Sequence, residues 1–387
     1  MSDHLSAGER RWSLAAVMVS ALGVGLMVGT TLPLCALVLE ARGVSKAMIG
    51  LNAATGTLAI LVCGPLYPRL LARLGMVRAF VLGTLASAGG IIALPYLPDL
   101  GHWFVLRFLI GMANGLSWVA SETWVNAATQ ERHRAFANGL YSTILLGGFA
   151  GGPAILALVG SEGVLPFAVA AGAVLLAGVP LLPAWRVQPR LSQQSAGRPM
   201  LALVLAAPVP LLAAFASGLT ESSAFSLMAI YGLEAALPEA AAVLLLAVFL
   251  AGNVGLQIPL GWLADRWDRG RMLRLCAAAG VIGPLGLALA IGTPAAWPLL
   301  FLWGGTVTGL YTIGLTRLGA SVAARDLAPA NAAFVMFYCA GSMAGPSLSG
   351  LAMDIAGPQG LVATMSGASA AFLAVAFAIL RLRPAAG

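Results

Sequence analysis

Gly261-Trp262-Leu263-Ala264-Asp265-Arg266-Trp267-Asp268-Arg269-Gly270-Arg271 carries five charges between two long apolar runs. Only 9% of the 387 residues are charged and 60% are hydrophobic, so charge packed this densely at one point needs a physical reason. A chain with so little polar surface cannot clothe a soluble globule of its size, and its mean hydropathy of +0.92 assigns it to a bilayer. A charged island between two apolar runs then reads as a tight turn at the membrane surface.

A hydrocarbon core of about 30 Å needs roughly 20 apolar residues per helix. Twelve such stretches are present, near 13–39, 47–67, 79–97, 103–127, 136–160, 164–184, 204–231, 240–262, 273–292, 297–320, 331–353 and 361–380. These unbroken runs exclude a β-barrel, whose strands alternate over about ten residues. The expectation is an all-α membrane protein with twelve transmembrane helices. If the N-terminus is cytoplasmic, seventeen of the 21 basic residues fall on the inner face, with Arg42 and Lys46 outside and Arg107 and Arg317 within spans. That asymmetry predicts both termini in the cytoplasm. It also accounts for the net charge of +7 without nucleic-acid binding. The first apolar run lacks a small-residue cleavage site and is expected to remain as helix one. Cys35, Cys63, Cys276 and Cys339 lie singly in apolar runs and read as small core residues.

A shift of 193 residues lays Gly139-x8-Gly148-x3-Gly152-Pro153 over Ala332-x8-Gly341-x3-Gly345-Pro346, and pairs Gly25 with Gly218, Gly111 with Gly304, Arg73 with Arg266 and Arg78 with Arg271. Six spans per half give both halves the same orientation, so they are two parallel six-helix repeats. The expected division is 1–190, a cytoplasmic linker at 191–199, and 200–387.

The opening loop resembles the signature loop of the major facilitator superfamily, Gly-x-x-x-Asp-Arg-x-Gly-x-Arg-Arg, which joins the second to the third helix of each half. Asp268 stands where that family usually has Gly, and Gly270 where it often has a basic residue. The first-half copy keeps Arg73 and Arg78 but has Ala72 at the position of Asp265. Gly148, Gly152 and Pro153 resemble the fifth-helix motif of the family's antiporters, without its final glycine pair. Gly341, Gly345 and Pro346 repeat them, and both sets are expected to bend or closely pack their helices. The Ser121-Glu122-Thr123-Trp124-Val125-Asn126 run with its Arg-rich loop resembles the YcaD-type branch. The resemblance implies a major facilitator fold and alternating access between the two halves.

Polar residues inside spans are the site candidates, because lipid offers them no partner. On the fourth span Arg107, Gly111, Asn114, Trp118, Ser121 and Glu122 form one helical stripe. On the seventh, Ser217, Thr220 and Glu221 lie near mid-membrane. A carboxylate there is protonated or faces a cation, so Glu221 is the first candidate for proton coupling and Glu122 the second. Asn253, Gln257, Tyr311 and Tyr338 complete the expected substrate cavity, and Asp265, Arg266, Asp268, Arg269, Arg271, Arg73 and Arg78 the gating loops. No His pair, nucleophile–base spacing or phosphate loop is present. The expectation is therefore a monomeric transporter of the bacterial inner membrane rather than an enzyme, without cofactor or metal. Its partners would be the bilayer, protons and a small molecule. Proton-driven export of an amphipathic or apolar compound is the leading expectation. Uptake or facilitated diffusion of a metabolite, and a non-transporting sensor on the same fold, are the alternatives.

Overall fold

The computed structural model describes residues 7–129, 133–183, 207–322 and 326–382. The expected linker at 191–199 lies outside them. Among the described residues twelve long helices follow one another: α1 Ala7–Ala41, α2 Lys46–Cys63, α3 Met76–Ala93, α4 Leu100–Ala128, α5 Arg134–Val159, α6 Leu165–Gly178, α7 Pro208–Glu234, α8 Glu239–Arg266, α9 Arg269–Ala290, α10 Ala296–Ser321, α11 Leu327–Ala356 and α12 Gln359–Leu382. A 3-10 turn, Gly64–Leu66, and a short helix, Tyr67–Leu74, extend α2. Helix is the form that satisfies every backbone N–H and C=O within one segment, which the hydrocarbon layer demands. Ten of the described helical segments are long and apolar enough to cross a membrane, and α6 is a shorter apolar helix continued by a 3-10 turn to Leu181. The twelve stretches of the sequence all appear as helices.

The chain forms two compact units, residues 1–38 with 55–194 and residues 39–54 with 195–387. The second unit thus takes in the turn between α1 and α2, which sequence order assigned to the first half. Gly43, at φ +74, lets the chain reverse there, and its N–H reaches the Glu40 carbonyl.

Inside each unit, glycines set how closely helices approach. In the first, a Cβ on Gly25 would meet the Leu145 carbonyl, one on Gly148 the Leu22 carbonyl, and one on Gly111 the Gly56 carbonyl. In the second, the same contacts recur 193 residues on: Gly218 against Tyr338, Gly341 against Phe215, Gly304 against Phe249. The repeat seen in the residues is therefore a repeat of backbone crossings, α1 with α5 and α2 with α4 in one unit, α7 with α11 and α8 with α10 in the other. Small residues are what allow dispersion contacts along whole helices in lipid, where no hydrophobic effect drives association.

Between the crossings the cores are apolar. In the second unit Val209, Ala213, Ala216, Met272, Leu273, Cys276, Leu310 and Phe372 form one buried cluster. Ala207, Leu211, Ala214, Leu318, Ala333 and Phe334 form another. The four cysteines are unpaired thiols, three buried and Cys339 half-buried, as their apolar settings predicted.

Candidate functional site

Glu221 sits thirteen residues from each end of α7, about 20 Å along the axis from either terminus. One carboxylate oxygen accepts a hydrogen bond from Asn253 Nδ2 of α8 at 3.1 Å, and the other from the Tyr338 hydroxyl of α11 at 2.6 Å. No Lys or Arg lies within ion-pair distance of it among the described residues of its unit. The close approach of α7 and α11 at Gly218 and Gly341 is what lets a tyrosine on one helix reach a carboxylate on the other.

The surroundings are polar but under-satisfied. The Thr220 and Ser217 hydroxyls and the Asn253 Oδ1 are buried without a hydrogen-bond partner. Native interiors pair nearly all such atoms, so a cluster of them marks a place that water or a ligand completes. Tyr338 packs edge-on against Tyr311 of α10, with ring centroids 5.2 Å apart, and Tyr311 packs in turn on Phe334. Of the residues expected at the cavity in this half, Asn253 and Tyr338 bond Glu221, Tyr311 packs on Tyr338, and Ser217 and Thr220 share the helix of Glu221. Gln257 is half-buried one turn beyond Asn253. A Ser223–Ser349 bond at 2.9 Å, which sequence reading missed, ties α7 to α11 two residues further on.

In the first unit the α4 stripe runs from buried to open. Arg107, Asn114 and Ser121 are buried, Trp118 is half-buried and Glu122 is exposed. Glu122 accepts from the Trp118 indole N–H one turn earlier at 2.7 Å, a partner on its own helix. The Ser121 hydroxyl meets the Tyr141 hydroxyl of α5 at 2.7 Å, and Trp118 leans on Phe149. Pro153 and Pro346 lie within α5 and α11, beside the Gly152 and Gly345 contacts that hold these helices to α1 and α7.

The charged loop is shorter than its sequence suggests. Helix α8 runs to Arg266 and α9 begins at Arg269, leaving only Trp267 and Asp268 between them. Asp268 is the N-cap of α9, its carboxylate accepting from the Arg271 backbone N–H at 2.8 Å. Its repeat mate is Gly75, which makes the same turn with φ +78 and no side chain. The two halves thus solve one turn in two ways, the left-handed region open to glycine in the first and a side-chain cap in the second. At Gly270 a Cβ would lie 3.1 Å from an Arg317 nitrogen, so a basic group from α10 stands beside this turn. Arg266 stacks on the Trp262 ring at 3.7 Å, while Arg269, Arg271, Arg73 and Arg78 are exposed. The Asp265 side chain lies outside the described residues. Asp268→Ala should lower the thermal unfolding midpoint of the purified protein, by a loss of about 1 kcal/mol, and Asp268→Gly by clearly less. Equal losses would show that the cap does not hold the turn.

One charged cluster was missed entirely by the sequence reading. At the α1–α2 turn Lys46 Nζ lies 2.8 Å from Glu234 of α7 and 3.6 Å from Glu40. Asp354 of α11 accepts from the first two backbone N–H groups of α2, Lys46 and Ala47, both at 2.9 Å. Backbones touch here as well, Gly50 against the Pro346 carbonyl and Gly350 against the Lys46 carbonyl. These four charged residues sit at span ends, where sequence places no demand on them. Their concentration in a chain with so few acids was the available signal.

The family model described as Major Facilitator Superfamily matches residues 14–328 and again 212–387. The MFS-type transporter YfkF of Bacillus subtilis (strain 168) is 24% identical over 85% of this chain and 86% of its own length. The YcaD transporter of Escherichia fergusonii is 27% identical over 74% of each. Among solved structures, a D323A mutant of the nucleoside transporter NupG has a TM-score of 0.82 at 13% identity, covering 95% of this chain and 99% of that one. A bacterial homologue of the human lysosomal transporter Spinster has a TM-score of 0.77 at 14% identity, covering 98% and 97%. Those two likenesses concern the fold alone. Together with a doubled six-helix repeat, matched crossings and the charged turn after each second helix, the family match leaves one assignment: this chain is a multi-pass membrane transporter of the major facilitator superfamily.

Proposed function

We propose that the protein exports a small amphipathic or apolar molecule across the bacterial inner membrane in exchange for protons, with Glu221 as the proton carrier. The observation that carries this reading is the Glu221 carboxylate held at mid-helix by two neutral donors, with no Lys or Arg in ion-pair range among the described residues of its unit. An ionised carboxylate so placed is costly without a counter-charge, and a proton removes the cost. The Tyr338 hydroxyl suits both states, since it donates to a carboxylate and accepts from a carboxylic acid at the same site. The charge cycle then needs no rearrangement of the pocket, only a change in which side of the membrane it meets. Glu122, exposed and bonded along its own helix, is the weaker carrier.

In liposomes loaded with a pH-sensitive dye, addition of a transported compound to the reconstituted protein should move protons opposite to the compound. Compound movement without proton movement would exclude exchange, and protons moving in the same direction as the compound would make it an uptake system.

A further inference from the structure

We infer that the transported molecule carries an oxyanion, a carboxylate in the simplest case, and that Arg107 of α4 holds it. This rests on the export reading above for the existence of a substrate, and names its chemical class.

Arg107 is 5% exposed, in the interior of the first unit. It stands one turn before Gly111, whose contact with the Gly56 backbone brings α4 against α2; a Cβ on Gly56 would lie 3.7 Å from an Arg107 terminal nitrogen. Its Nε is buried without an acceptor, and no carboxylate of its unit lies within 4 Å among the described residues. The titratable side chain beside it is the buried Cys35 of α1. A lysine or histidine in such a setting could shed its proton, but a guanidinium remains charged. Burial of a lone cation costs several kcal/mol even after relaxation, and a natural sequence that keeps it there pairs it with something. The planar fork of donors suits the two oxygens of a carboxylate.

A second orphan extends the site. Asn114 lies on the same face seven residues on, about 10 Å along the axis. It is 9% exposed, and its Oδ1 has no donor. An acceptor left open on that face calls for a hydroxyl or N–H on the same molecule. The substrate class is then an amphipathic carboxylate with a hydrogen-bond donor away from its charged end. Sequence alone placed both residues among many polar candidates. The burial and missing partners select these two.

The test uses the purified full-length protein and matched pairs, such as 10-hydroxydecanoate with its methyl ester and decanoate with its methyl ester, with inorganic phosphate and chloride as simple ions. Thermal stabilisation should favour each carboxylate over its ester by at least tenfold in half-saturating concentration, and 10-hydroxydecanoate over decanoate. Arg107→Gln should abolish the preference for the acid, and Asn114→Leu only the preference for the hydroxyl. Esters binding the wild type as well as acids, no acid stabilising it, or an acid preference surviving in Arg107→Gln would each overturn the inference. So would stabilisation by phosphate or chloride equal to that by the acids, which would make the site one for small ions. The wild-type comparison stands even if a variant fails to fold. Because binding is read without a gradient, a failure here leaves proton exchange untouched, and a failure of proton exchange leaves the acid preference untouched.

Discussion

Glu221→Gln should reduce proton-driven transport in liposomes by at least about a hundredfold, the scale on which loss of a proton-transfer group acts, while substrate counterflow between equal pH compartments persists. Glutamine keeps the shape of the side chain, with an oxygen to accept from Asn253 and an amide N–H to donate to the Tyr338 hydroxyl, but offers no carboxylate to titrate. What remains of transport in the variant should be independent of pH. Tyr338→Phe tests the same site from the other side. It removes the 2.6 Å bond while leaving Glu221 in place, so driven transport should fall by less and shift its pH dependence. Retention of driven transport in Glu221→Gln would exclude the residue as carrier. Loss of driven transport and counterflow together, with the protein still folded, would make it a structural anchor for α8 and α11.

Lys46→Glu should slow transport by tenfold or more, and Lys46→Glu with Glu234→Lys should restore most of it. The substitution would bring four carboxylates together, at 40, 46, 234 and 354, where one ammonium now lies 2.8 Å and 3.6 Å from two of them. Both side chains of the closer pair are less than a quarter exposed, so solvent screens this pair less than an ordinary surface ion pair. A tenfold change corresponds to about 1.4 kcal/mol, within reach of one such contact. Residues 39–54 are joined at both ends to the first unit yet pack with the second. Motion of one repeat against the other therefore has to break these contacts or bend the chain near residues 38 and 55. The Asp354 carboxylate on the first N–H groups of α2 adds a charge-assisted cap, favoured by the positive end of the helix, to the same contact. An unchanged rate in Lys46→Glu, or a double variant no better than the single one, would show that the cluster does not take part in the transport cycle.

Much of the architecture was legible in the residues because membrane folding obeys few rules. Apolar runs of the required length had to become helices, and the glycine spacing at one constant offset had to become repeated helix crossings. Gly25 with Leu145 and Gly218 with Tyr338 are the same contact 193 residues apart. Glu221 was legible too, since a mid-span carboxylate is costly wherever it occurs. Its partners were not. Asn253 and Tyr338 lie 32 and 117 residues away, and nothing in their spacing distinguishes them from Gln257 or Tyr311. Likewise the charge pattern flagged Arg107 and Glu122 alike, and burial separated them, the guanidinium enclosed with its Nε lacking an acceptor and the carboxylate exposed beside Trp118.

The local reading of the charged loop reached its position but not its construction. Asp268 looked like a departure from a glycine, and only the backbone showed that a capping carboxylate replaces a left-handed residue at that turn. The turn between α1 and α2 shows the same division more sharply. Sequence order placed Lys46 and Asp354 in different halves, yet close backbone approach at Gly50 and Gly350 brings them into one charged contact. Hydropathy and small-residue spacing act through each helix by itself, so the sequence determined the spans, the repeat and the mid-membrane acid. Which polar groups meet depends on how helices distant in the chain rotate and cross, so the tertiary structure alone decided the partners of Glu221, the burial of Arg107 and the contact made by Lys46.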